Sequence, residues 1–224
     1  MKAIAQLIKT SLPDYEKKAE EAYNRPLNHL WNKEMYIGNP AFEKLKNNYM
    51  DKDLTRDRIF ELFREKKYYD GFLCAMVWGN IGTYRGGEKH FTDVFNANQQ
   101  NIEDKIESVI NILQAKNIKE AYYSLCYKHD NKIDGIAESF FTKLLYFASA
   151  DISGLPFQPL IYDKKMAKIY EKILYRLGTG QKPTIGYNNY ANYCYTIEKL
   201  NQELKLKNAG YLEALLFQYG NKIF

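Results

Sequence analysis

Between Asp163 and Gly178 the chain runs DKKMAKIYEKILYRLG, a stretch whose pattern fits a helix and little else. Met166, Ile169, Tyr170, Ile173, Leu174 and Leu177 recur at three- and four-residue intervals, which puts them on one face of an α-helix. An aspartate stands at the start, where a side-chain oxygen can accept from free N–H groups, and a glycine stands just past the end. The same period recurs upstream. Ile102, Ile106, Val109, Ile110 and Leu113 share a face, Asn117 can cap a helix running to about Tyr127, and Phe140, Phe141, Leu144, Leu145 and Ala148 stripe another over 138–148. Further helices are predicted at about 3–9, 14–23, 55–66, 70–79, 190–206 and 210–219. No period-two alternation is long enough for a sheet, so the predicted class is all-α.

At 224 residues with 46% hydrophobic content, the chain suits one domain, or two small lobes sharing a cleft. Its breaks, Gly38-Asn39-Pro40, 79–87, Gly154 to Pro159 and Gly178 to Gly186, are too short for domain linkers, and there are no repeats. The expected organisation is a single compact body over 1–224. About 70–178 would form a central lobe holding a hairpin at 134–137, with 1–69 and 179–224 forming the second lobe. A net charge of +5 permits a polyanionic partner without requiring one.

Cys74, Cys126 and Cys194 are odd in number, far apart and set in apolar runs, the pattern of reduced, buried thiols. His29, His90 and His129 are isolated too, so no metal constellation is expected. The opening MKAIAQLIKTSLPDYEKK is too interrupted for a signal peptide, and no stretch approaches a membrane span. A soluble, cytoplasmic monomer away from membranes is the expectation.

Three features could carry chemistry. The turn Asp134-Gly135-Ile136-Ala137 between two helices could let the backbone approach a phosphate, with the helix from Glu138 offering N–H groups and its positive end. A tight turn between packed helices is the plain alternative. Lys143 falls away from the centre of the Phe140/Phe141/Leu144/Leu145 stripe, on a polar side with Ser139, Thr142 and Tyr146, and is expected to be solvated there. Asp163 suits a helix cap. Capping also fixes a carboxylate and keeps it ionised, so the two roles are compatible. Trp78, Tyr84 and Arg85 lie on or beside a glycine-rich break where they could line a base pocket or wedge into a duplex; a buried tryptophan and an ordinary loop are the alternative. Lys164 and Lys165 could touch phosphates or simply be solvated.

The passage NKIDGIAESFFTKLLYFASADISGLPFQPLIYDKK, over 131–165, resembles the helix-hairpin-helix DNA glycosylases of the 8-oxoguanine type. These place a lysine on the helix after the hairpin, then a loop with proline and glycine, then a short apolar segment ending in aspartate. Here Lys143, Pro159-Leu160-Ile161-Tyr162 and Asp163 follow that order, and Asp163 lies 20 residues beyond Lys143 (163 − 143). The phrases FLCAMVWGNIG, GIAESFFTKLLYFA, PLIYDKKMAKIY and YLEALLF are similar to a bacterial 8-oxoguanine-glycosylase-like group. The resemblance covers roughly Phe72 to Leu177, with support from the tail. In the lysine-bearing members the nucleophile sits one turn earlier, at the position held here by Ser139.

The resemblance implies a two-lobed helix-hairpin-helix fold and excision of a damaged base, 8-oxoguanine by analogy, from double-stranded DNA in base excision repair. Asp163 would stabilise the charged sugar, and Lys143 could add AP lyase activity through a Schiff base. Gly135, Ile136, Ala137, Ser139, Lys164 and Lys165 would meet the DNA. No cofactor is expected, although the hairpin leaves room for a structural monovalent cation. Three alternatives stand beside this. The first is a hairpin module that binds DNA without catalysis, the second a glycosylase acting on modified phage bases in defence. The third is a protein-interaction domain using a tyrosine-rich C-terminal surface.

Overall fold

The computed structural model describes residues 1–32, 38–79, 94, 98–126 and 129–224. The fold is all-α, as predicted, with eleven α-helices and no strand among the described residues. The helices are α1 (Lys2–Ser11), α2 (Tyr15–Asn24), α3 (Pro40–Tyr49), α4 (Arg56–Arg64), α5 (Tyr68–Gly79), α6 (Gln99–Gln114), α7 (Ile118–Ser124), α8 (Glu138–Ala148), α9 (Lys164–Arg176), α10 (Tyr187–Leu204) and α11 (Ala209–Ile223). A 3-10 turn covers Asn28–Asn32.

The chain divides into two compact units. One combines Met1–Arg25 with Pro156–Phe224, and the other is Pro26–Leu155.

In the discontinuous unit, α2 and α9 pack against α11, while α1 packs on α10 and α11. Tyr23 of α2 stacks flat on Tyr211 of α11, with centroids 4.0 Å apart. The stripe that opened the sequence reading is buried from Met166 to Leu174, with Met166, Ile169 and Ile173 fully enclosed, and only Leu177 at its end is half-buried. Asp163 caps α9 through Lys165 N and Met166 N. At the far end Thr179 N donates to Leu174 O and Gly178 N to Tyr175 O, with Gly178 at φ +72°. That double bond needs a left-handed residue at Gly178. Burying one isoleucine of the stripe contributes roughly 1.5–3 kcal/mol, against about 1 kcal/mol for a cap, so the stripe holds α9 and the caps mark its ends.

In the continuous unit α5 is the axis, packing against α3, α4, α6, α8 and the 3-10 turn. It is buried almost throughout from Tyr69 to Trp78, which is why its sequence is apolar on every side. The helix α3 begins at a point read from sequence only as a break. Asn39 accepts from Ala41 N and Phe42 N, and Pro40 occupies the first turn, a start signal in its own right.

Candidate functional site

The hairpin is anchored to α6. Asn131 donates its side-chain amide to Ser108 Oγ at 3.0 Å, and Lys105 Nζ reaches Lys132 O at 2.6 Å. Ile136 N then bonds back to Ile133 O, closing a four-residue turn with Gly135 third at φ +81°. A positive φ at that place calls for glycine. Ile133 and Ile136 are buried on either side, while Ala137 is exposed. Ala137 occupies the cap position of α8 and supplies no side-chain cap. Glu138, in the first turn, has its carboxylate on the Tyr122 hydroxyl.

Lys143 departs from the expectation of a solvated side chain. It is 3% exposed, and Thr142 and Tyr146 are buried with it, because α8 is covered on all sides from Phe140 to Ala148. Its polar side faces other helices of the unit, since α4, α5, α6 and α7 all pack on α8. Helical side chains lean toward the N-terminus, and Lys143 does so fully. Its Nζ donates to the Ser139 carbonyl at 2.6 Å and lies 4.8 Å from the centre of the Phe140 ring. The amine is thereby carried back one turn, onto the backbone of residue 139.

A second buried cation was not picked out from the sequence. Arg56, at the start of α4, is 4% exposed. Its guanidinium carbon sits 5.0 Å from the Trp78 ring and 5.6 Å from the Tyr146 ring, and Nη1 donates to the Tyr146 hydroxyl at 3.4 Å. Trp78 is itself buried and edge-on to Phe147 at 5.7 Å. Trp78 and Lys143 thus belong to adjoining parts of α5 and α8, with Arg56 stacked on Trp78. Tyr84 and Arg85 lie outside the described residues.

In the other unit, the extended run Leu160-Ile161-Tyr162 is buried and leads into Asp163. Three side chains of α10 hold it. Tyr190 donates to Leu160 O at 3.1 Å, Tyr193 to Ile161 O at 2.9 Å, and Asn189 to the Tyr162 hydroxyl at 2.7 Å. Tyr190 and Tyr193 are wholly buried, so these tyrosines are an internal brace and not a contact surface. Burial is also the main reason the Tyr193 phenol is held well above its ordinary titration range. Their spacing, three residues apart on one helix face, was the available signal.

Asp163 is half-buried, and both of its capping bonds fall on Oδ1, at 2.9 Å each. Among the described residues no hydrogen bond engages Oδ2. Lys164 is exposed, and Lys165 lies 4.2 Å over the Phe217 ring of α11.

Cys74 and Cys194 are buried, and that burial pushes both thiols up, so they stay protonated and unreactive. Among the described residues no three His, Cys, Asp or Glu side chains converge in a way that could hold a metal ion. No helix among them is long and apolar enough to cross a membrane.

A family model described as "Putative 8-oxoguanine DNA glycosylase OGG-like protein" matches residues 19–217. No curated protein and no solved structure matches the chain.

Proposed function

Since the chain belongs to the 8-oxoguanine DNA glycosylase OGG-like family, we propose that it excises a damaged or modified base, of the 8-oxoguanine type, from double-stranded DNA. The observation that carries this reading is the divided carboxylate of Asp163. One oxygen is spent on the helix cap, fixing the group, and the other is left for a substrate. Breaking the bond between base and deoxyribose leaves positive charge on the sugar, and a fixed carboxylate oxygen stabilises it without reorganising. The base departs with the bonding electrons and takes up a proton, and water completes the sugar. The target must first leave the stack, which is least costly at a mismatched or damaged pair.

Lyase activity is a second reading, favoured by the position of Lys143. Its amine reaches the backbone of residue 139, where the resemblance puts the nucleophile. Attack by the neutral amine on C1′ expels the base and forms a Schiff base, from which elimination breaks the 3′ C–O bond. Gly135 to Ala137, Ser139, Lys164 and Lys165 are the proposed phosphate contacts, and binding through them should weaken steeply with salt.

A panel of duplexes carrying 8-oxoguanine, alkylated purines or modified pyrimidines, scored with and without alkali, tests both readings. Strand breaks that need alkali mark base release alone, and breaks without it mark the lyase. Salt-dependent binding with no release from any duplex would replace both readings with a non-catalytic DNA-binding module.

A further inference from the structure

Gly79, the last residue of α5, lies directly against the stem of Lys143. A β-carbon at residue 79 would sit 2.4 Å from Lys143 Cε, 2.5 Å from Cδ and 3.5 Å from Nζ. Non-bonded carbons settle at about 3.5–4.0 Å, so a side chain at this position requires the Lys143 stem to move. Backbone conformation does not explain the glycine, because residue 79 is helical and is not among the positive-φ glycines. Glycine is also less favourable than alanine in a helix. Steric exclusion is the physical reason that remains.

The stem has little freedom to yield. Lys143 is 3% exposed, its helix is enclosed from Phe140 to Ala148, and its amine is engaged by the Ser139 carbonyl and the Phe140 ring. A new β-carbon would have to be relieved by shifting Cδ and Cε, the atoms that carry Nζ to that carbonyl.

We propose that Gly79 is a positioning residue for base excision. Its missing side chain opens a slot for the hydrocarbon stem of Lys143, and the slot fixes the amine over residue 139. The proposal rests on the reading of Lys143 as the nucleophile. Gly79 touches no substrate and acts only through that side chain.

Four proteins test it: wild type, Gly79→Ala, Lys143→Ala and the double variant. The first measurement is thermal stability, which needs no activity. Gly79→Ala should lower Tm when Lys143 is present and leave it unchanged or slightly raised when residue 143 is alanine, because the colliding atoms are then gone and alanine is the better helix former. An equal loss in both backgrounds overturns the slot. If Gly79→Ala alone does not fold, recovery of folding in the double variant supports the slot, and a double variant that also fails to fold overturns it.

The second measurement is borohydride trapping on a duplex with a preformed abasic site, under single-turnover conditions. Gly79→Ala should trap at least ten-fold more slowly, with the half-saturating DNA concentration within two-fold of wild type. Trapping at the wild-type rate by folded Gly79→Ala overturns the proposal. A wild type that never traps, or trapping that persists in Lys143→Ala, removes the nucleophile reading and with it the catalytic role of Gly79. The stability cycle separates that failure from a failure of the slot.

Discussion

The Tyr193 hydroxyl donates to the Ile161 carbonyl at 2.9 Å from a fully buried ring, two residues before Asp163. Together with Tyr190 on Leu160, it ties the backbone leading to the carboxylate to the helix beside it. Tyr193→Phe keeps the ring and removes only the donor, leaving a buried carbonyl unsatisfied at a cost of about 1–2 kcal/mol. The expected result is a Tm lower by about 3–6 °C, with base release slowed several-fold and DNA affinity unchanged. An unchanged Tm would mean that water replaces the phenol and the brace is dispensable.

Asp163→Asn separates cap from catalysis. Asparagine caps as well as aspartate, so calorimetry should find Tm nearly unaltered. A neutral amide cannot stabilise the sugar cation, and excision should fall by about 100-fold or more. Asp163→Ala should add a loss of about 1 kcal/mol of stability from the missing cap. An active Asp163→Asn would end the catalytic assignment.

Lys66 is held in the left-handed region, at φ +57°, at the close of α4. Lys67 N bonds to Leu62 O and Lys66 N to Phe63 O, a termination that glycine would adopt without strain. The strain on a lysine there is about 1 kcal/mol. Lys66→Gly should therefore raise Tm by about 2–4 °C. Lys116, at φ +63°, is in the same situation but donates its amine to the Ser153 carbonyl, so Lys116→Gly should gain less.

Alkaline pH should destabilise the fold. Cys74 and Cys194 are shifted upward by burial, Tyr193 by burial first, and Tyr49 by burial and its bond to Asp70. The folded protein therefore keeps protons that the unfolded chain releases near the ordinary values, about 8.5 for thiols and 10 for phenols. Their stabilising contribution is complete below those values and is lost as pH rises toward the folded ones. Urea midpoints at pH 7.5, 9 and 10.5 should fall in that order. Iodoacetamide at neutral pH should modify only the partly exposed Cys126 until the protein unfolds.

The elements easiest to read in the sequence were those whose evidence is local. Asp163, the Met166 to Leu174 stripe and Gly178 lie within sixteen residues of one another, and the structure has them as expected. The start of α3 was just as local, but Asn39-Pro40 after Gly38 looked like a turn, because a cap and a break use the same residue types. The surroundings of Lys143 were beyond reach for a different reason. Helical arithmetic gives the direction of a side chain but not what stands opposite it. The slot is supplied by Gly79 on another helix, 64 positions earlier (143 − 79). The stacking of Arg56 on Trp78 and Tyr146 likewise joins three separate helices, and nothing in periodicity marks a buried arginine.

The discontinuous unit has a consequence for how the protein is made. Tyr15 of α2 bonds to Leu204, and Tyr23 stacks on Tyr211, so the early helices find their partners about 190 residues later. On the ribosome, α1 and α2 emerge with their apolar faces uncovered and stay so while all of 26–155 is translated. That intervening segment has its own contiguous core and can fold first. The native packing of α1 and α2 should therefore form only after α11 has left the exit tunnel.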